Sequence, residues 1–282
     1  MAADIEASAA APDEALARLD AELQQLERVI VAFSGGADSA LLAWAATRAL
    51  GADRAHIVTA VSPSLPGTHR DECESLAQAW GMRWSEVFTD EMENAAYRAN
   101  DGDRCFHCKD ALMDAVAPLA ASEGATVLLG VNLDDLGDHR PGQQAAEGRG
   151  ALFPLVAAGF TKDVIRAVSH QHGLSTWDKP AAACLASRLP YGTPVTLGRL
   201  TRVERAEADL ALMGFRELRV RDYGEIARIE VPQAQLGDLV AKAADVVAVV
   251  EGAGFGYATL DLAGLQSGNL NRMLGDDGRL AG

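Results

Sequence analysis

The 282-residue chain has no apolar run approaching the ~20 residues that a bilayer span needs, so no membrane-spanning helix is expected. Its opening, MAADIEASAAAPDEA, has neither a cationic start nor an apolar stretch, and a secretion signal is not expected there. Residues 1–12 and 271–282 read as disordered tails. Positive charge is in short supply: 25 Lys and Arg face 40 Asp and Glu, a net charge of −15, which argues against a nucleic-acid partner. Cysteine is scarce as well. Four cysteines, Cys73, Cys105, Cys108 and Cys184, in a chain of this length predict reduced thiols in a cytoplasmic protein, not a disulfide framework. There is no internal repeat and no low-complexity tract beyond a richness in alanine.

Hydrophobic residues make up 49% of the chain, enough for one large domain or two smaller ones. Helical patterns at 13–28, 38–50, 67–80 and 105–121 alternate with strand patterns at 29–33, 55–61, 83–88 and 125–131. That alternation predicts an α/β fold, a parallel sheet with helices on both faces, whose ligands sit beyond the carboxyl ends of the strands. After the proline-rich stretch KPAAACLASRLPYGTP the character changes. TLGRLTRVERAEADLALMGF reads as a helix stopped by Gly214. ELRVRDY and IARIEV read as an antiparallel pair turning at Tyr223-Gly224, followed by a helix over about 232–250 and a strand near 256–261. The order suggests a small α+β domain, dividing the chain into 13–183 and 184–270.

In IVAFSGGADSALLAWAA (30–46) a short buried-strand pattern runs into a helical one through two glycines, two serines and an aspartate. Glycines permit positive φ and close approach to the backbone. The first N–H groups of the helix have no internal partner and favour an anion, typically phosphate. The alternative is an ordinary turn capped by Ser or Asp. The stretch has neither the Gly-Lys-Ser/Thr ending of a Walker loop nor G-x-G-x-x-G. Ser34, Gly35, Gly36, Asp38 and Ser39 instead resemble the PP-loop of ATP pyrophosphatases, which implies ATP binding and pyrophosphate release.

RCFHCKDAL holds a Cys-x-x-Cys at Cys105 and Cys108. No thioredoxin-like strand precedes it, and no second close pair would complete a zinc site. Two structural cysteines and a metal site with Cys184 as a third thiolate both remain open from the residues alone. Cys184, near Ser187 and Arg188, is either a thiolate favoured by a cation or a buried small side chain among alanines. Cys73 reads as packing or surface. The loop GVNLDDLGDHRPG offers Asn132, Asp134, Asp135, Asp138, His139 and Arg140; a carboxylate there, Asp135 foremost, suits Mg²⁺ beside a triphosphate, although capping explains one or two of them equally. From Arg188 to Arg228 the chain has eight Arg, no Lys and six Asp or Glu. Arg219 and Arg221, two apart on a strand, share a face and suit a phosphate clamp; pairing with Glu230 across the strands is the alternative.

Taken in order, SGGADS, RCFHCK, GVNLDDLGDHRPG, FPL…TKDVIR, KPAAACLASRLPYG and RVRDYGEIARIE resemble the LarE family, the ATP-dependent pyridinium-3,5-biscarboxylic acid mononucleotide sulfurtransferases, from about residue 15 to about 265. The resemblance implies ATP and Mg²⁺ as cofactors and adenylation of a pyridinium carboxylate. Sulfur transfer would then follow, in the making of the nickel-pincer cofactor of lactate racemase and related enzymes. It implies pyrophosphate held by Ser34, Gly35, Gly36, Asp38 and Ser39. Substrate would be held by Arg219 and Arg221, with Ser187, Arg188 and Glu230 beside them, and Cys184 would be the sulfur-bearing catalytic cysteine. The extra Cys-x-x-Cys is similar to the branch in which three cysteines, here Cys105, Cys108 and Cys184, hold a 4Fe-4S cluster whose open iron carries sulfide from a sulfide donor. In the other branch the cysteine gives up its own sulfur. Family members assemble as hexamers, so a homo-oligomer is implied. A tRNA 2-thiolation enzyme on the same loop, or a non-enzymatic adenine-nucleotide sensor, is the alternative; the acidic charge disfavours the first and the reactive cysteine and paired arginines the second.

Overall fold

The computed structural model describes residues 12–137, 141–180, 183–266 and 269–270. Asp138, His139 and Arg140 lie outside the described residues, as do 1–11 and 271–282 of the expected tails. The chain runs α1 (Pro12–Gln24), β1 (Val29–Ala32), α2 (Ala37–Leu50), β2 (Ala55–Val61), α3 (Gly67–Ala79), β3 (Arg83–Phe88), α4 (Ala95–Ala99), α5 (Arg104–Glu123) and β4 (Thr126–Leu129). It continues through α6 (Pro141–Gly148), α7 (Pro154–Ala157), α8 (Lys162–Gln171), α9 (Leu197–Leu212), β5 (Arg219–Tyr223), β6 (Ile226–Glu230), α10 (Leu236–Ala241), α11 (Ala243–Gly252) and β7 (Tyr257–Leu260). Among the described residues no helix is long and apolar enough to cross a membrane.

Two compact units emerge. The first comprises residues 1–61, 67–89 and 109–182; the second comprises 62–66, 90–108 and 183–282. A contiguous division at 183/184, as the sequence suggests, does not include the inner stretches 62–66 and 90–108 in the second unit. Local composition cannot show them there, because the contacts that place them span the chain.

The first unit is a parallel sheet in the order β3-β2-β1-β4, with Val29 paired to Ala55 on one side and Thr126 on the other. Side chains alternate across β1, and so do the two cores they enter. Val29, Val31 and Phe33 pack with α1, α2 and α8, whereas Ile30 packs with Leu112, Met113 and Val116 of α5. Helices therefore cover both faces, which is why β1 is an unbroken apolar run and the first five residues of β2 are all buried, the polar His56 and Thr59 among them. From β1 the chain goes to β2 and β3 on one side and to β4 on the other. The crevice beyond the ends of β1 and β4 is thus the switch point where such sheets bind ligands.

The second unit contains a sheet in the order β5-β6-β7, β5 and β6 antiparallel and β6 and β7 parallel, packed against α9 and α11. The helix predicted over 13–28 ends at Gln24, because the Arg54 guanidinium caps the Leu26 and Glu27 carbonyls at 2.7 and 2.8 Å in place of another helical turn. The helix predicted over 232–250 is a 3₁₀ turn, Gln233–Gln235, then α10 and α11 with a break at Lys242, whose ammonium bonds the Met213 carbonyl and lies over the Phe215 ring.

Candidate active site

In the first unit the SGGADS loop leaves β1 at the switch point. Gly35 has φ +68, a left-handed conformation that only glycine adopts without strain. A Cβ at Gly35 would also stand 3.0 Å from the Cys73 sulfur and 3.6 Å from the Lys179 ammonium. Gly36 is the N-cap of α2, with extended backbone and no side-chain cap. The alternative of a turn capped by Ser or Asp is therefore not what is built. The first N–H groups of α2 are left without a side-chain oxygen, as an anion site requires. The serines stiffen the loop instead. The Ser39 hydroxyl accepts from Ser34 N–H at 3.2 Å and donates to the Gly36 carbonyl at 3.1 Å, while the two hydroxyls lie 3.1 Å apart.

Asp38, in the first turn of α2, accepts from Lys162 Nζ at 2.6 Å and from Asn132 Nδ2 at 3.4 Å. Its role in the geometry is to station a lysine. Gly130, at the exit of β4, packs so closely on α2 that a Cβ would lie 2.8 Å from Ser39 N and 2.9 Å from its Cα. The loop after β4 is thereby set beside the SGGADS loop. Its Asn132 is buried, and the Asp135 carboxylate accepts from Asn132 N–H at 3.1 Å. Asp134 accepts from Lys162 N–H at 2.6 Å. Cys73 is fully buried under the loop, and burial pushes its thiol up to about 11, so it is protonated and inert at neutral pH. Lys162 and Lys179 went unread in the sequence. A signal was there for each, in TKDVIR and in the Lys-Pro of DKPAAA, but nothing local ties a lysine to a loop more than a hundred residues earlier.

The second unit holds the three other cysteines. Cys105 and Cys108 lie in the first two turns of α5, exposed and half-buried, and Cys184 precedes a 3₁₀ turn, Leu185–Arg188, also half-buried. Four carbonyls in and just before that turn are taken by side chains. Arg188 donates to Ala183 O at 2.8 Å, Ser187 Oγ to Cys184 O at 2.7 Å, Arg104 to Ala186 O at 2.9 Å and Arg221 to Ser187 O at 2.7 Å. Three buried guanidiniums thus frame the segment that carries Cys184. The thiols share neighbours. Burial works against the charge of Arg104, yet nearby Cys184 and Cys105 raise its pKa overall. Burial, then Cys184, with a lesser share from Cys108, pushes the Tyr97 hydroxyl well above its ordinary value.

The arginines divide. Arg188 is bidentate on Glu207 at 2.9 and 3.0 Å. Arg221 binds Glu230 at 2.9 Å, and fully buried Glu230 also accepts from Arg228 and Asn269. Arg219 sits opposite Glu230 in the ladder but, among the described residues, pairs with no carboxylate; it donates to the Gln266 carbonyl at 3.2 Å. Burial, followed by the charges of Arg221 and Arg188, lowers its pKa, the mark of a cation that an anion would stabilise. Among the described residues no three His, Cys, Asp or Glu gather around a single metal ion. Three thiolates on an iron–sulfur cluster bind three different irons, so they need not converge on one point.

No family model matches the chain. It is 44% identical over 253 residues to an uncharacterised protein of Synechocystis, covering 89% of this chain and 94% of that one. It is 22% identical over 237 residues to an uncharacterised protein of Methanocaldococcus jannaschii, covering 84% and 90%. Over 259 residues, 92% of this chain and 94% of the relative, it is 37% identical to the pyridinium-3,5-bisthiocarboxylic acid mononucleotide synthase of Lactiplantibacillus plantarum. An identity of that size over nearly the whole of both chains means that this chain belongs to the LarE family.

Proposed function

We propose that the protein is an ATP-dependent sulfurtransferase that converts the carboxylates of pyridinium-3,5-biscarboxylic acid mononucleotide into thiocarboxylates. The observation that carries the reading is the glycine-capped start of α2 at the switch point of the sheet, in a chain whose named relative makes the bisthiocarboxylic acid. The SGGADS loop holds the β- and γ-phosphates of ATP, and Asp135 is the carboxylate that would hold Mg²⁺, which needs only one or two carboxylates beside phosphates and water and would offset phosphate charge there. A substrate carboxylate oxygen attacks the α-phosphorus and pyrophosphate leaves. A sulfur nucleophile then attacks the acyl carbon and AMP leaves with the carboxylate oxygen. Arg219 takes the substrate phosphate, with Arg221, Arg188, Ser187 and Glu230 fixing its surroundings.

Cys105, Cys108 and Cys184 are cysteines of one unit, in no disulfide and with shared neighbours, a donor set that suits a 4Fe-4S cluster. Such a cluster would supply sulfide at the iron that has no protein ligand. The lack of disulfides among the four cysteines also favours a reducing, cytoplasmic setting, and a homo-oligomer follows the family pattern.

The test is anaerobic protein mixed with ATP, Mg²⁺, the mononucleotide and sulfide, read by pyrophosphate release and by the product's mass as oxygen gives way to sulfur. Both signals are expected. Absence of substrate-dependent pyrophosphate overturns the reading. Iron should be present and should vanish in Cys105→Ala but not in Cys73→Ala. If Cys184 is instead found as dehydroalanine after turnover, it is the sulfur source and the cluster assignment fails.

A further inference from the structure

Lys179 makes two contacts in the first unit. Its ammonium donates to the Gly35 carbonyl at 2.9 Å and to the Glu72 carboxylate at 2.5 Å, and its side chain is 16% exposed. The first contact is to the phosphate loop itself. A trans peptide is planar, with its C=O and N–H pointing in opposite directions. A cation that fixes the Gly35 carbonyl therefore fixes the direction of the Gly36 N–H. Gly36 is the N-cap of α2, so this N–H opens the row of donors at the helix start. The flank of Gly35 that faces Lys179 is also closed by the Cys73 sulfur, where a Cβ would be 3.0 Å away. A Gly-Gly peptide has no side chain to restrain it and, left alone, rotates at little cost. Something must hold it, and Lys179 is the group that does.

We propose that Lys179 is a positioning residue of the phosphate loop, aiming the Gly36 N–H at the outer phosphates of the nucleotide while Glu72 holds the ammonium in place. The proposal rests on the ATP reading above. It separates Lys179 from a purely structural ion pair, because the peptide it aims serves the β- and γ-phosphates alone. AMP, which has neither, gains nothing from it.

Isothermal titration of the full chain with ATP, pyrophosphate and AMP tests this. In Lys179→Ala the affinities for ATP and pyrophosphate should fall about tenfold, the scale of one lost hydrogen bond to a charged group, and that for AMP should stay within about twofold. Lys179→Arg, which can still donate to both the carbonyl and the carboxylate, should recover most of the loss. AMP binding also reports that the variants are folded. Unchanged ATP affinity in Lys179→Ala overturns the proposal, and so does an equal loss for ATP and AMP. If the wild-type chain binds no ATP, the functional reading fails and takes this proposal with it; if the wild type binds and the variant binds equally, only the proposal fails.

Discussion

Arg219 and Arg221 are two residues apart on one face of β5, and the sequence treats them as a matched pair. The structure separates them by what they already hold. Arg221 is buried against Glu230, whose carboxylate is fully enclosed. Removing one member of a buried ion pair strands the other, at a cost of about 3–5 kcal/mol. Arg228 and Asn269 still reach Glu230, so the lower end of that range is expected for Arg221→Ala. Arg219 has no such carboxylate to abandon. Arg219→Ala should leave the unfolding midpoint nearly unchanged and weaken mononucleotide binding by on the order of tenfold or more, the loss of a charge-assisted phosphate contact. Urea unfolding and substrate titration on both variants check this; a large stability loss in Arg219→Ala would make that arginine structural. Much of this chemistry was legible because its residue types are rare or clustered, as with the three cysteines and SGGADS. Lys162 and Lys179 were not legible. Each is an ordinary lysine in its own stretch of chain, and its meaning comes from a loop 124 or 144 residues away.

At the scale of elements, the four parallel strands were legible to within a few residues; β1 and β4 are short, mostly apolar runs, and β2 and β3 are rich in β-branched or aromatic residues despite His56, Thr59, Arg83, Ser85 and Glu86. Helix ends were less so. The end of α1 is decided by Arg54, about thirty residues on, and the break at Lys242 by contacts with Met213 and Phe215. The short helices α6 and α7 carry too few turns to show a period. The close packing of β4 on α2 was also invisible, because a glycine in GVN looks like any turn glycine. It has a measurable consequence. In Gly130→Ala the added methyl meets backbone atoms of Ser39 and Asp38 at 2.8 to 3.0 Å, and no flexible side chain can yield. Either the end of β4 or the first turn of α2 must shift. Overpacking of this kind costs about 1–3 kcal/mol. The denaturation midpoint should fall with an unchanged slope, and ATP affinity should fall with it if the displaced turn carries the phosphate donors as proposed. A variant as stable as the wild type would show that the contact is slack.

For the molecule as a whole, the sequence suggests a second domain that begins near Cys184, and the structure assembles that unit from three stretches of chain. Tyr97, from the second stretch, is almost fully enclosed in the same core as Leu185, Val203 and Val220 from the third. Its hydroxyl lies 2.5 Å from Ser64 of the first stretch, whose carbonyl accepts from Leu185 N–H at 2.8 Å. Asn100, buried and in a left-handed conformation, donates to the carbonyls of Pro190 and Thr193 at 2.8 and 2.9 Å, and its own carbonyl accepts from Gly192 N–H at 3.0 Å. Arg104 bonds both Asn100 and Ala186. The turn that bears Cys184 is thus built against residues that a fragment of 184–282 lacks. Removing Tyr97 alone opens a cavity of the kind that costs about 3–5 kcal/mol, and the carbonyls of Ala186 and Pro190 lose their Arg104 and Asn100 donors, keeping only the N–H groups of Leu189 and Thr193. A domain of this size has a total stability of only about 5–15 kcal/mol. The fragment should therefore fail to unfold cooperatively on heating, and its amide spectrum should be poorly dispersed, whereas the full chain should melt cooperatively and give a well-dispersed spectrum. Cooperative melting of the fragment alone would mean that the inner stretches are ornaments on a self-sufficient domain, and that the turn bearing Cys184 stands without the segment that carries Cys105 and Cys108.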